Sequence, residues 1–128
     1  MSIRRYKDED YYLLECWCKD RGAVPPPKQC LSTLGFVSDE RAIGFLYITD
    51  SNIAFIEYVI SDPLTVPSMR RQSVKKLCGN LIDTAFLLGY THVFALTEHP
   101  QIKKLCEEFG FKSKPSYELF VLAESETK

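Results

Sequence analysis

The segment from Ile53 to Leu88 sets most of what this chain can become. Ile53-Ala54-Phe55-Ile56-Glu57-Tyr58-Val59-Ile60 is almost wholly apolar, β-branched or aromatic, the composition of a strand buried on both faces. Asp62-Pro63 closes it, because proline brings no amide hydrogen to a ladder. From Ser68 the period changes. Val74, Leu77, Cys78, Leu81, Ile82, Ala85 and Leu88 recur at helical spacing and form one apolar stripe. Ser68 reads as the N-cap and Gly89 as the stop. Arg70 and Arg71 then fall in the first turn, where the helix dipole favours negative charge. Either they are plain solvated cations, or an anion such as a phosphate lies between them and the free amides of the helix start.

A chain of 128 residues is expected to be one domain over 1–128, with 124–128 as a frayed tail. A net charge of −1 argues against broad attraction to nucleic acid or an anionic membrane. Arg70, Arg71, Lys75 and Lys76 have no aromatic residues interleaved with them, so nucleic-acid binding is not expected there. No apolar run reaches the roughly 20 residues that cross a bilayer, and no apolar segment follows the charges of Met1 to Tyr6. Cytoplasmic residence is the expectation. The five cysteines read as reduced thiols, mostly on apolar helix faces, and no set of four zinc ligands accompanies Cys16 and Cys18.

Taken in order, Ile3 to Tyr6 reads as a short strand and Asp8 as the cap of a helix that ends at Gly22, with Tyr11, Leu14, Trp17 and Cys18 on one face. Pro25-Pro26-Pro27 forces an extended connector, a partner's polyproline ligand being the alternative. Leu31–Val37, Ala42–Thr49 and the Ile53 strand, separated by short polar turns, form an antiparallel meander. After the long helix, Thr91–Thr97 reads as a strand parallel to a neighbour. His99 caps a helix opened by Pro100, with Ile102, Leu105, Cys106 and Phe109 as its stripe and Gly110 as its end. Tyr117–Leu122 reads as a last strand. The expected fold is α/β (α+β), a mixed and mostly antiparallel sheet in the order β-α-β-β-β-α-β-α-β.

That order, with Ile3-Arg4-Arg5 leading into an acidic helix start, Ala42-Ile43-Gly44-Phe45-Leu46, Ile56-Glu57-Tyr58-Val59-Ile60-Ser61-Asp62-Pro63 and Glu107-Glu108-Phe109-Gly110-Phe111, resembles the GCN5-related N-acetyltransferase superfamily over nearly the whole chain. A closer likeness is to short acetyltransferase-like proteins of bacteriophages, which would put the protein in a host cytoplasm. These share a Trp-containing first helix, a proline-rich connector before Gly35-Phe36-Val37, and Thr49-Asp50-Ser51 followed by Ala54 and Glu57.

The resemblance implies acetyl-CoA as cofactor, with pantetheine entering between the central strand and its parallel neighbour. It also implies a small-molecule or protein amine as acceptor and direct attack within a ternary complex. Amides near Val59 and Ile60 would meet the thioester carbonyl, and Arg70, Arg71, Gln72, Ser73, Val74 and Lys75 align with the phosphate loop. Ser73 and Lys75 stand where that loop has glycines, which let backbone approach phosphate without a Cβ. Ser73 would add a hydroxyl donor there, and Lys75 would meet phosphate with its ammonium or point outward. The site is therefore expected to be weakened.

Glu57, the only carboxylate inside the strand, is the candidate base, its alternative being a structural ion pair. Cys106 aligns with the family's Tyr acid and His99 with its Asn, yet Cys106 also fits the apolar stripe and His99 a helix cap. Tyr58, Tyr90 and Tyr117 are further proton donors to consider. Two readings follow: an N-acetyltransferase, or a catalytically degenerate protein-binding module on the same scaffold.

Overall fold

The computed structural model describes residues 2–97, 99–113, 118 and 120–124. Among the described residues five strands form one sheet in sequence order: β1 (Ile3–Arg5), β2 (Leu34–Ser38), β3 (Ala42–Ile48), β4 (Ile53–Ser61) and β5 (His92–Ala95). The β1–β2, β2–β3 and β3–β4 pairs are antiparallel, and β4–β5 is parallel. Three helices accompany them: α1 (Tyr11–Asp20), α2 (Pro67–Leu87) and α3 (Pro100–Glu108). The expected α/β class and the meander followed by a parallel crossover are what the chain adopts.

Two apolar layers hold the sheet. On one face, Val74, Leu77, Cys78, Leu81 and Ala85 of α2 pack on Ala42, Leu46, Ala54 and Ile56. On the other, Leu14 and Trp17 of α1 pack on Val37, Ile43 and Phe45. Burying the valine, leucine, isoleucine and phenylalanine side chains among these stabilises the fold by about 1.5–3 kcal/mol each. Gly44 in β3 lets α2 come close: a Cβ there would lie 3.0 Å from Leu77 and 3.2 Å from Leu81.

Several boundaries differ from expectation. Helix α2 begins at Pro67 with Val66 as N-cap, so Ser68 is not its cap. Proline suits that first position, where its missing amide hydrogen costs nothing. Arg70 and Arg71 are consequently the fourth and fifth helical residues. Leu88 is 52% exposed, so the stripe stops at Ala85.

Asp8 is not a cap either; it opens a 3-10 turn, Asp8–Asp10, whose N-cap is Lys7. Asp10 accepts the Lys7 amide at 2.8 Å and both terminal nitrogens of Arg4 at 2.8 and 2.9 Å, which ties β1 to the start of α1. Strand β2 starts at Leu34, because Ser32 turns the backbone by accepting from the Leu34 amide. Strand β4 is not enclosed on both faces as expected: Ala54 and Ile56, on the α2 face of its first half, are buried, whereas Ile53, Phe55 and Glu57 on the opposite face are only half-buried. Of the expected last strand, Tyr117 and Leu119 lie outside the described residues, and Glu118 and Phe120–Leu122 belong to no strand.

Candidate active site

Strands β4 and β5 pair through Ile53–His92, Ala54–Val93, Phe55–Phe94 and Ile56–Ala95, and no further. β4 continues to Ser61, while the chain after Ala95 turns away toward α3, which His99 caps by accepting the Gln101 amide at 3.2 Å. The two strands therefore part at Ile56 and Ala95. A cleft of about 1190 Å³ opens between them, walled by the second half of β4, the first half of α2, and α3.

The wall of β4 is shaped by a bulge. Ile43 pairs with Ile60 and Phe45 with Glu57, so Gly44 faces two residues, Tyr58 and Val59. Tyr58 takes a left-handed φ of 54°, which few side chains tolerate. The inserted residue shifts the alternation: Ala54 and Ile56 face α2, but beyond the bulge Val59 does, while Ile60 joins the α1 layer. Glu57 lies opposite Phe45 and so shares the α1 side, and the Tyr58 ring meets Tyr47 edge-on at 6.2 Å. Among the described residues Glu57 has no cation within ion-pair distance. Burial pushes its carboxyl up from the ordinary glutamate range.

At the other end of the cleft lies the start of α2. No side chain caps it, and the Arg70 amide is already bonded to the Val66 carbonyl. With proline at 67, the amides of Ser68 and Met69 are the ones left without an intrahelical partner. Gln72 to Lys75 sit deeper in the helix, so their amides belong to its ladder rather than to an open loop.

Of the residues assigned from sequence to the cofactor and the chemistry, Glu57, Val59, Ile60, Arg70, Arg71, Gln72, Val74, Lys75, His99 and Cys106 line the cleft. Ser73 does not. Expected to offer its hydroxyl to phosphate, it is fully buried and donates to Asp39 at 2.9 Å. The cap expected of His99 is observed. Lys75 reaches Glu108 of α3 at 3.4 Å. Of the spare tyrosines, Tyr58 lines the cleft, Tyr90 donates to the Thr49 carbonyl at 3.0 Å instead, and Tyr117 lies outside the described residues.

Cys106 is half-buried on α3 between Leu105 and Glu107. Burial, then the Glu107 charge, push its thiol up, so it carries its proton at neutral pH. Cys78 beneath it is pushed up to about 12 by burial and by Cys106. Gly110, at φ 93°, ends α3 in a left-handed turn, and its amide and that of Phe111 return to the carbonyls of Glu107 and Cys106. This fold-back turns the end of α3 so that Phe111 lines the cleft.

Sequence reasoning missed Arg21. It follows α1, lines the cleft, and donates to both the carbonyl and the hydroxyl of Ser61 at the end of β4. A cation before a helix-ending glycine is commonplace, so nothing local marked it. Among the described residues Arg21, Arg70, Arg71, Lys75 and Lys104 share the cleft with two carboxylates, Glu57 and Glu108, in a chain whose net charge is −1. Geometrically the cleft can hold an extended ligand with an anionic end beside the helix start and a reactive end beside the bulge. Among the described residues no helix is long and apolar enough to cross a membrane.

No protein-family model matches the chain, and comparison with curated proteins finds no match. Solved structures do match. A Mycobacterium tuberculosis protein in complex with CoA superposes with a TM-score of 0.75 at 16% identity, over 94% of this chain and 76% of the other. The ribosomal-protein-S18-alanine N-acetyltransferase of Escherichia coli gives 0.68 at 17% identity, over 89% and 79%. N-acetylglutamate synthase of Neisseria gonorrhoeae, complexed with coenzyme A and N-acetyl-glutamate, gives 0.69 at 16% identity, over 89% of this chain and 28% of that larger one. The strand order, the parting of β4 from β5 and these superpositions agree: the chain has the fold of the GCN5-related N-acetyltransferases.

Proposed function

We propose that the protein is an acyl-CoA-dependent N-acyltransferase that moves an acetyl group to an amine by direct attack. The observation that carries this reading is the cleft between β4 and β5, with a half-buried carboxylate at its bulge and, at its far end, guanidinium groups that form no ion pair among the described residues. The residues present fit acetyl-CoA: an uncapped helix start and cations suit a diphosphate, and the unpaired backbone of β4 beyond Ile56 suits an extended amide chain. The cofactor supplies an activated thioester.

This chain's residues supply the rest. Arg70, Arg71 and Lys75 hold phosphate through charge-assisted bonds. Backbone amides near Val59 and Ile60 polarise the acyl carbonyl. Glu57, ionised, accepts the proton that the attacking ammonium must lose, directly or through one water. As the carbon–nitrogen bond formed and the carbon–sulfur bond broke, the protonated thiol of Cys106 would give its proton to the departing sulfur, and the second proton shed by the acylated nitrogen would restore the Cys106 thiol, leaving the one net proton on Glu57. Enclosure by α2 and α3 holds both reactants in place.

A second reading draws on Ser73. With Ser73 bonded to Asp39 and the helix running through the loop positions, the scaffold can be a protein-binding module that lost its chemistry, a role that suits a phage-encoded protein in a host cytoplasm. Thermal shift and calorimetry with acetyl-CoA separate the two. Ligand at 100 times its Kd stabilises a fold by about 2.7 kcal/mol. A shift with millimolar acetyl-CoA supports the transferase, and its absence leaves the binding module.

A further inference from the structure

Arg21 and Arg70 come from elements far apart in the chain, yet both guanidinium groups close on one short turn. Arg21 donates to the Ser61 carbonyl and, at 3.1 Å, to its hydroxyl. Arg70 donates to the carbonyls of Pro63 and Thr65 at 3.2 and 3.4 Å. Both line the cleft, and among the described residues neither forms an ion pair with a carboxylate. Asp62, between their anchor points, uses one carboxylate oxygen on the Leu64 amide.

Two like charges held by backbone carbonyls, with Asp62 near Arg21 but no ion pair to either arginine among the described residues, favour an anion from outside. The repulsion registers in Arg21, whose guanidinium is held below its ordinary range by burial and then by the charge of Arg70. A surface arginine free to swing into water would relieve that repulsion by moving. Arg21 is instead fixed on Ser61 by two bonds.

We propose that Arg21, reaching over from the end of α1, joins Arg70 in a guanidinium clamp that binds the diphosphate of the ligand lying in the β4–β5 cleft. The identity of that ligand rests on the transferase reading above, but the clamp itself rests on the Arg21–Arg70 geometry. It also answers the loss of the glycine loop. Where Gln72 to Lys75 are spent inside α2, planar forks from two helices take over the work of missing backbone amides. Arg21 is thus a binding residue contributed by an element outside the segment that sequence pattern assigns to phosphate.

The test is calorimetry on the whole chain with coenzyme A, 3′-dephospho-coenzyme A and inorganic pyrophosphate, on wild type, Arg21→Ala and Arg21→Lys. Unfolding midpoints without ligand check that the exposed substitution leaves the fold intact. Arg21→Ala is expected to weaken all three ligands about tenfold or more and to flatten the salt dependence of binding. Arg21→Lys, which keeps the charge and loses the fork, should recover part of the loss.

Pyrophosphate bound equally well by wild type and Arg21→Ala overturns the clamp, while coenzyme A binding by wild type keeps the transferase reading alive. A loss seen with coenzyme A but absent with the dephospho form overturns it too, since the 3′-phosphate would be the target. Wild type that takes pyrophosphate through Arg21 yet ignores coenzyme A supports the clamp and removes the transferase. Wild type that binds neither overturns both.

Discussion

Ser73 of α2 donates a 2.9 Å hydrogen bond to Asp39, which sits at a φ of 55° in the turn between β2 and β3, and Lys76 reaches the other carboxylate oxygen at 2.8 Å. One buried carboxylate thus ties the sheet's hairpin to the helix that walls the cleft. Asp39→Ala leaves the Ser73 hydroxyl buried without an acceptor and strips a polar side chain from a left-handed residue. It is expected to lower stability by about 2–3 kcal/mol, read from denaturant unfolding. Asp39→Asn keeps an acceptor and tolerates that backbone, so about 1 kcal/mol is expected.

The same carboxylate predicts an acid limb. Burial alone would raise its pKa, but the bonds from Lys76 and Ser73 outweigh burial and hold it below the ordinary range. A lowered folded pKa means stabilisation that is complete above the unfolded value of about 3.9 and is lost as pH falls through the folded one. Unfolding free energies between neutral and strongly acid pH should fall more steeply for wild type than for Asp39→Asn. Parallel curves would assign the acid loss to other groups.

Removing Arg71, exposed at the cleft, should weaken acetyl-CoA about tenfold, and Arg70→Ala with Arg71→Ala more than about a hundredfold, by calorimetry. Wild-type affinity in the double variant would move the phosphates elsewhere.

Glu57→Gln should lower kcat by about 10²–10⁴-fold if the carboxylate takes the ammonium proton. Burial raises the folded pKa of Glu57, so the base becomes competent only as pH climbs past the usual glutamate value of about 4.3. The acid limb of the rate profile should disappear in the variant. For stability the sign runs the other way: a raised folded pKa favours the fold at low pH and disfavours it as pH rises, so Glu57→Gln should resist denaturant better at neutral pH. A variant with wild-type kcat would reduce Glu57 to a structural group.

Alkylation should sort the thiols. Cys30 is exposed and should react first at neutral pH, Cys106 slowly, and Cys78, pushed up to about 12, scarcely at all. Acetyl-CoA should slow Cys106 further, since it lines the cleft, while leaving Cys30 unchanged; peptide mass spectrometry reads both.

The stripe of Val74, Leu77, Cys78, Leu81 and Ala85 was plain in the sequence because helical periodicity is a local signal, and α2 packs as that stripe demands. The parallel partner of β4 was legible from the intervening helix. The start of α2 was not: Ser68 looked like a cap, but Pro67 is better suited to open a helix than to precede one. The cleft is half legible. Glu57 stood out as a carboxylate in an apolar run, whereas Arg21 meets Ser61 across forty positions, and no periodicity reports on such a meeting. Nor did composition reveal the bulge, since Tyr58 is an unusual occupant of a left-handed turn.

Gly44 sits directly across from that bulge, with Leu77, Leu81 and Val59 all within 3.3 Å of where its first carbon would stand. An absent methyl group therefore sets how near the long helix rests to the floor, and so the aperture through which any cargo must slide. Alanine at this position would act as a shim a few tenths of an ångström thick, prising the lip of the crevice and pressing on the side chain of Val59.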